Sequence, residues 1–360
     1  MKRSRFPKTI SIFCLISMVV IISAILDSAQ GAEKPDFNLK WSCWSAPGSP
    51  FAKASTWPLR EVEKRTNGRV KFEEYYLGTL VPGTQEISGV GKRMADTAVL
   101  FCPMNRETSL LAGVVTAPGV PVTTGDVTKD CYAMARNMHK MAKTSIEIQE
   151  DFAKKNLRLL WAQGGMPRSL LCAKIPFKKV DDFKGRKTRA LGDEAKMVKH
   201  FGGAAVGLTS AEEYEGLSRG IVDFCVDNPV GALPWKLQEV TKYWTPMVIG
   251  YATFFNIMNL DTWKALPKDI QQIFLDVAEE FPDKFTEIYA VDGHPYALKV
   301  FKEAGVTFLE WPKEEQAKLD AAATPLAKEW AEGVEKRGLP GKKVLNQWAE
   351  VWGRKPVFPE

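Results

Sequence analysis

The sequence predicts an α/β fold of two lobes, each built on a parallel or mixed sheet flanked by helices. Strands and helices alternate along the chain, which is the order that a parallel sheet covered by helices requires. The segments KRMADTAVL and SRGIVDFCV share one pattern, in which a helix end and an aspartate precede an apolar strand. The chain has 360 residues, which is more than one hydrophobic core usually holds. A repeated unit in a chain of this length indicates two lobes that face each other across a cleft.

The first sheet is predicted from alternating strands and helices near the start of the chain. Its first helix ends at Asn67-Gly68, a common C-terminal stop, and a second, shorter helix carries Glu86. The predicted elements are strands over residues 38–44, 70–76 and 95–101 and helices over residues 52–66 and around residue 86.

The second sheet follows the same order after residue 157. A long helical stretch over residues 270–301 follows it, broken by Pro282 and Pro295, and a helix of that length is suited to brace both lobes. Residues 313–353 are predicted to be mostly helical. The predicted elements of this sheet are strands over residues 157–163, 168–173, 187–191, 205–208 and 221–226 and helices over residues 193–201 and 211–219.

The N-terminal residues are typical of a cleaved export signal. Basic residues from Lys2 to Lys8 precede an apolar run over residues 10–25, and Ala29-Gln30-Gly31 offers the small residues that a signal peptidase needs. The alternative is a membrane anchor, but the run is shorter than the roughly 20 residues of a membrane span. We therefore expect residues 1–31 to be a signal peptide and the mature protein to be periplasmic, without insertion into the membrane.

Charge and cysteine usage exclude some classes of function. Four basic residues and one acid lie in the leader, so the formal charge falls from +6 to +3 without it. No basic run with interleaved aromatics remains as a nucleic-acid footprint. The cysteines after the leader have no metal-binding spacing, and we expect them to be mostly small buried hydrophobic residues. A disulfide between Cys43 and Cys102 is the alternative for that pair.

The sequence lacks the motifs of common catalysts. The three histidines have no helical spacing, and there is no GxSxG, HExxH or EF-hand pattern. The glycine-rich segment over residues 202–207 lacks the Lys-Ser/Thr of a phosphate loop. Glu212 and Glu213 are adjacent on a helix and therefore point in different directions. We expect no metal, no cofactor and no enzymatic activity.

The segment over residues 183–229 carries the candidate binding chemistry. Arg189 lies on a predicted strand, and Asn228-Pro229 ends another strand of the same α/β unit. A guanidinium offers a planar fork of donors that matches a carboxylate, and ligands of open α/β sheets bind at strand ends. The alternatives are a surface arginine and ordinary Asn-Pro turn chemistry. Arg168 enters a strand from a loop, where it is either a cleft residue or a rim charge.

An ordered set of segments resembles one known family. The segments EVEKRTNGRVKFEEY, FKGRKTRA, EEYEGLSRGIVD, DNP and NLDTWKALPKDIQ resemble the DctP-type solute-binding proteins (extracytoplasmic solute receptors) of TRAP transporters. The likeness spans nearly the whole mature chain. It implies a two-lobe periplasmic binding protein fold, with residues 32–164 and 254–293 in lobe 1 and residues 165–253 and 294–360 in lobe 2.

The resemblance also implies roles for particular residues. In such receptors an arginine pairs with the substrate carboxylate, and Arg189 matches it, while Arg168 matches a second arginine one strand earlier. An asparagine after an acid matches Asn228, with Asp227 in the acid's place. The remaining implied contacts are a tyrosine on the preceding helix and an acid in the first lobe, matched by Tyr214 and Glu86.

One departure from the family's pattern and two tryptophans bear on the rest of the substrate. Ser210 or Ala211 stands where an aromatic residue commonly lines the family's pocket. Trp44 and Trp161 lie near strand ends, so we expect them to face the cleft. In that case the ligand carries an apolar or aromatic body behind its carboxylate, and binding changes the intrinsic fluorescence.

These observations predict a periplasmic substrate-binding protein that captures an organic acid and delivers it to the membrane permease of a TRAP transporter. The first alternative is a ligand-loaded sensor subunit for a membrane receptor kinase, which the chain alone does not separate from transport. The second is an exported hydrolase, for which the sequence offers no nucleophile–base pair.

Overall fold

One mixed sheet of nine strands forms the centre of the computed structural model, which describes residues 35–359. The predicted signal peptide, residues 1–31, lies outside the described residues. The strands follow the spatial order β2-β1-β3-β8-β4-β7-β5-β6, and β9 pairs with β8. The strands are β1 (Phe37–Ser42), β2 (Val70–Tyr75), β3 (Thr97–Phe101), β4 (Leu157–Cys172), β5 (Lys187–Arg189), β6 (Ala204–Val206), β7 (Phe224–Asp227), β8 (Tyr243–Asn259) and β9 (Thr307–Phe308).

Helices cover both faces of this sheet, as an α/β fold requires. They are α1 (Pro50–Arg65), α2 (Glu86–Gly91), α3 (Cys102–Asn105), α4 (Leu110–Val115), α5 (Val127–Thr144), α6 (Ile146–Ala153), α7 (Gly192–His200), α8 (Glu213–Ser218), α9 (Pro229–Ala232), α10 (Leu260–Ala265), α11 (Lys268–Thr286), α12 (Gly293–Glu303), α13 (Lys313–Glu335) and α14 (Gly341–Val351).

Two long antiparallel strands, β4 and β8, join the halves of the sheet. We call β1, β2 and β3 with their helices the first half, and β5, β6 and β7 with theirs the second half. Strand β3 pairs with the C-terminal end of β8, and β7 pairs with the C-terminal end of β4. The two predicted sheets are therefore halves of one sheet, each with a parallel core.

Strand β4 corrects the prediction of two separate strands over residues 157–163 and 168–173. It continues through Gly164 and Gly165 with register shifts against β8, which are β-bulges. A side chain on Gly165 would place its Cβ 1.8 Å from the carbonyl oxygen of Ala252. The Gly-Gly pair therefore marks a close approach of two strands and not a loop.

The predicted helical stretch over residues 270–301 is one continuous helical rod. Pro282 lies inside α11 and does not end it. A π-helical segment, Glu287–Asp292, joins α11 to α12, and such segments are frequent at functional sites.

Four chain segments cross between the halves: β4, β8, the α11–α12 rod and α13. Helix α11 packs in the core of the first half, whereas Phe301 of α12 packs with Leu171 in the second half. In α13, Leu319 belongs to the core of the second half and Trp330 to that of the first. Two long helices therefore brace the sheet, where the sequence predicted one.

The C-terminal helices pack differently from the predicted division into lobes. Residues 327–349 contribute to one buried cluster with α4 and α5 of the first half. The prediction that residues 294–360 belong to lobe 2 therefore does not match the packing of α14 and of the end of α13. Every residue of α4 is apolar and buried. Without the C-terminal helices, this helix would be exposed to solvent.

Replacing Trp348 with alanine is expected to lower the free energy of unfolding by about 3–5 kcal/mol, because a fully buried indole leaves a cavity. Urea-induced unfolding measures the change. The exposed Glu350→Ala substitution on the same helix is the control and should change the free energy by less than about 0.5 kcal/mol. A loss for Trp348→Ala no larger than for the control would contradict this packing.

The cysteines of the described part of the chain are all buried and none forms a disulfide. Cys43 and Cys102 are unpaired, so the interpretation of the cysteines as small buried hydrophobic residues holds for this pair. Within residues 35–359, no helix combines the length and the apolar character needed to cross a membrane.

Candidate functional site

A small cavity lies between the two halves, where β3, β5 and β7 end beside β4 and β8. Its volume is ≈ 20 Å³, about enough for one water molecule. A ligand larger than a water molecule therefore enters only when the surrounding elements move apart. The polar residues that line the cavity are Arg168, Arg189, Ser210, Asp227 and Asn228, and the aromatic ones are Trp44, Phe101, Trp235, Phe254 and Tyr289.

Arg189 is the last residue of β5, so its side chain leaves the sheet at a strand end. Its Nε donates to the carbonyl of Leu208 at 3.0 Å and its Nη1 to the carbonyl of Val226 at 3.2 Å. Its Nη2 lies 2.9 Å from a carboxylate oxygen of Glu213. Burial lowers the pKa of Arg189, but the combined attraction of Glu213 and the other acidic groups around it outweighs burial, and the net pKa is raised. The guanidinium is therefore a fixed, permanent positive charge.

Arg168 approaches the same place from β4. Its Nε lies 3.2 Å from a carboxylate oxygen of Glu194, and its Nη2 donates to the carbonyl of Val226. The guanidinium carbon stands 5.9 Å from the centre of the Phe101 ring. Both arginine side chains are only 1% exposed. The two desolvated guanidinium groups meet at one backbone carbonyl in the cavity wall, where the low dielectric strengthens their interaction with nearby charges.

Three buried carboxyl groups surround the two arginines. Glu194 lies in the first turn of α7, Asp227 ends β7, and Glu213 is the first residue of α8. Burial raises the pKa of Glu194, against the opposing attraction of Arg168. Burial also raises the pKa of Glu213 to about 8, where Arg189 acts in the lowering direction and Asp227 in the raising one. The cluster therefore carries more acids than bases.

No local sequence pattern predicts that Glu213 belongs to this cluster. Its neighbour Glu212 is exposed and accepts a hydrogen bond from the backbone of Thr209 at 2.8 Å. The expectation that these two glutamates point in different directions agrees with the structure. A glutamate in the first turn of a helix is normally a surface residue that interacts favourably with the helix dipole. No local sequence pattern therefore indicates that Glu213 is buried.

Asn228 has the turn role that was weighed for it, and its side chain also lines the cavity. Its Oδ1 accepts from the backbone N–H of Gly231 at 2.9 Å and so caps α9, which begins with Pro229. Its Nδ2 is buried and finds no acceptor among the residues that the structure describes. The side chain lines the cavity beside Tyr289. The turn chemistry fixes the amide, and the free N–H groups can serve a ligand.

Aromatic rings form the wall that faces the arginines. Trp44 stacks on Phe254 with ring centres 5.7 Å apart, and Phe101 stacks on Phe254 at 5.2 Å. Tyr289 comes from the π-helical segment. Apart from Trp44, these rings were not anticipated: Phe254 lies on β8, which was not predicted, and Tyr289 lies in a helix without visible chemistry.

Three predicted contacts do not line the cavity. Trp161 is buried in the core against Phe274, with ring centres 5.9 Å apart, because its strand directs it to the face that α11 covers. Tyr214 lies at the surface, where its hydroxyl donates to Glu239 at 3.2 Å. Glu86 is buried but does not line the cavity, and its carboxylate accepts a hydrogen bond from the side chain of Asn105 at 3.1 Å. The cavity brings together Trp44, Arg168, Arg189, Asp227 and Asn228 instead.

Histidines and metal ligands are not part of this site. His139 lies 3.3 Å from Glu279 and His294 packs beside Trp244, both away from the cavity. In the part of the chain that the structure describes, no group of three or more His, Cys, Asp or Glu side chains is arranged to hold a metal ion.

A family model identifies the chain more closely. The model of DctP, bacterial extracellular solute-binding protein, family 7, matches residues 44–333. The chain belongs to this family. The family comprises extracytoplasmic receptors that bind solutes, which confirms the resemblance found in the sequence.

Individual relatives and solved structures agree with this assignment. The C4-dicarboxylate-binding periplasmic protein DctP of Rhodobacter capsulatus is 27% identical over 308 residues, which are 82% of this chain and 87% of the relative. A TRAP solute-binding protein from Rhodoferax ferrireducens, in complex with copurified benzoate, has a TM-score of 0.76 at 19% identity and covers 88% of this chain and 97% of its own. A TRAP periplasmic solute-binding protein from Desulfovibrio salexigens, with bound orotic acid, has a TM-score of 0.76 at 20% identity and covers 88% and 98%. These structures confirm the two-lobe α/β fold.

Proposed function

We propose that this solute-binding protein captures an organic acid in the cavity between its lobes and delivers it unaltered to the permease of a TRAP transporter. The observation that carries the proposal is the pair of buried guanidinium groups, Arg168 and Arg189, at one cavity wall. A ligand carboxylate is the anion that a planar, preorganised guanidinium binds best. The Nδ2 of Asn228 supplies a further donor, and Trp44 covers the body of the ligand.

The binding mechanism depends on the two halves of the sheet, between which the cavity lies. The ligand enters when the halves move apart and bridges them as they close, which shifts the equilibrium toward the closed form. We place the halves at residues 32–164 with 254–293 and at residues 165–253, and we assign residues 327–349 to the first half on their packing. Residues 1–31 direct the chain to the periplasm and are then removed.

The relatives support an acid as the ligand. The name of the Rhodobacter protein specifies C4-dicarboxylates, and the two solved structures hold benzoate and orotic acid. All three ligands carry a carboxylate. The ring-lined wall of this chain favours an aromatic or otherwise flat body behind that carboxylate, since stacked rings bury such a surface well.

A panel of acids tests the proposal. Succinate, benzoate and orotate are each added to the mature protein, and the melting temperature is measured. A ligand at one hundred times its Kd should stabilise the protein by about 2.7 kcal/mol, whereas benzamide, which lacks the charge of benzoate, should not. Mass spectrometry should recover the bound acid unchanged. If no acid in a wider carboxylate library shifts the melting temperature, the proposed function is contradicted.

A further inference from the structure

When it is ionised, Glu213 neutralises the arginine that we propose for the ligand carboxylate. The carboxylate of Glu213 lies 2.9 Å from Nη2 of Arg189, and the glutamate side chain is fully buried. Among residues 35–359, no other donor forms a hydrogen bond with either of its carboxyl oxygens. Glu213 does not itself line the cavity, so it acts on a ligand through Arg189 and Asp227, which do.

The charges around Glu213 leave little room for a further anion. Arg189 faces it from β5, Arg168 from β4, and Asp227 and the Cys225 thiol from β7, while Glu194 of α7 lies beside both arginines. With every acid ionised, three carboxylates oppose two guanidinium groups. A ligand carboxylate would add one more negative charge at low dielectric, where like charges repel strongly.

We propose that the pocket binds its acid together with a proton, so that the ligand carboxylate becomes the counter-ion of Arg189 while Glu213 remains in place as an uncharged carboxylic acid. Above the pKa of Glu213 the proton comes from solvent, and it resides on Glu213, whose carboxyl group lies close enough to Asp227 for a hydrogen bond. This inference rests on the proposed function and deepens it, because it specifies the protonation state in which the pocket holds its acid.

Two further facts support the protonated form. Burial raises the pKa of Glu213 to about 8 even beside Arg189, and a bound anion raises it further. Neighbouring carboxyl groups that share a site take up one proton between them, because both cannot ionise at low cost.

The expected pH dependence follows by linkage. Where Glu213 is already protonated, at about pH 6 to 7, binding takes up almost no proton and the affinity is independent of pH. Above the pKa of the free protein the proton must be taken from solvent, so the affinity falls by up to about tenfold for each pH unit. The ligand carboxylate stays ionised over this range and contributes no dependence.

Isothermal titration of wild type and Glu213→Gln with the best-binding acid among succinate, benzoate and orotate tests the inference. Titrations at about pH 9 in two buffers of different ionisation enthalpy count the protons. For the wild type we expect close to one proton taken up per acid bound, and for Glu213→Gln close to none, with an affinity that no longer changes between about pH 7 and 9. The matched control is Glu215→Gln on the same helix, where the glutamate is exposed and pairs with Arg219; it should behave as the wild type.

A second measurement needs no ligand. The folded protein holds the Glu213 proton to higher pH than the unfolded chain, so it binds more protons, and the stability that Glu213 contributes decreases as pH rises from about 5 to 8. The melting temperature of Glu213→Gln relative to the wild type should therefore increase over this range. This slope would not arise from a purely structural role of the side chain.

Each other result overturns the inference. If an acid binds the wild type without proton uptake at about pH 9, or if Glu213→Gln keeps the pH dependence, the inference fails while the proposed function stands. If only zwitterions such as amino acids bind, and without proton uptake, a ligand ammonium group has the role assigned to the proton. If no acid binds at all, the proposed function fails, and this inference fails with it.

Discussion

Replacing Arg189 with methionine and Glu213 with glutamine in the same protein is expected to abolish binding of the acid while the fold is kept. Arg189 provides a desolvated charge at the cavity wall, and the loss of such a charge from a binding site costs about 2–5 kcal/mol, or roughly 30-fold to several thousand-fold in affinity. Isothermal titration with the acid that binds the wild type measures the change. Removing both partners avoids leaving a buried charge without its counter-ion.

Two controls separate binding from folding in this experiment. Arg189→Met alone leaves Glu213 without its partner, so at a pH where Glu213 ionises this single variant should melt at a lower temperature than the double variant. Arg186→Met removes an exposed arginine just before β5 whose side chain is 43% exposed, and it should bind as the wild type does. Wild-type affinity in the double variant would show that the acid does not depend on Arg189.

Removal of the ion pair between Arg106 and Asp193 is expected to shift the protein toward an open form and to weaken binding by about 1–3 kcal/mol. The guanidinium of Arg106, which follows α3 in the first half, meets the carboxylate of Asp193 in the second half with two contacts of 2.8 Å. Both side chains are buried. A paired contact of this kind exists only when the halves are together, so its free energy favours closure.

The double substitution Arg106→Leu with Asp193→Asn tests this expectation without leaving an unpaired buried charge. Small-angle scattering of the unliganded protein should give a larger radius of gyration than for the wild type, and stopped-flow measurements should give faster dissociation of the acid. The control Arg337→Leu removes an exposed arginine that lies 3.5 Å from Glu107 and should change neither. An unchanged dissociation rate in the double variant would mean that this ion pair does not hold the halves together.

Local patterns were sufficient for much of the fold. Strand β1 and helix α1 follow from an alternating segment and from a helix that Ser49 caps, accepting from Ala52 at 3.0 Å. Strand β8 was missed because it is buried on both faces over nearly all its length, which removes the alternation that identifies a strand. The Gly-Gly pair of β4 was read as a loop for a related reason: only the neighbouring strand reveals that glycine is needed for a close approach.

Only part of the candidate site could be predicted from the sequence. Arg189 and Asn228 stand at strand ends of a parallel unit, and topology alone brings such positions together. Trp161 shows the limit of that argument, since a strand-end position does not reveal which face of the sheet a ring will occupy. Glu213 shows a second limit, because its burial depends on the tertiary contact with Arg189 and leaves no trace in the local sequence.

The four segments that cross between the halves also determine how solute can be exchanged. Since β4, β8, the α11–α12 rod and α13 each continue from one half into the other, we expect the halves to rotate about these four segments and not to slide past one another. The rate at which the cavity opens then depends on the stiffness of these two strands and two helices, and not on the mobility of surface loops. Substitutions in these four segments should therefore change the rates of ligand association and dissociation even where they do not contact the ligand.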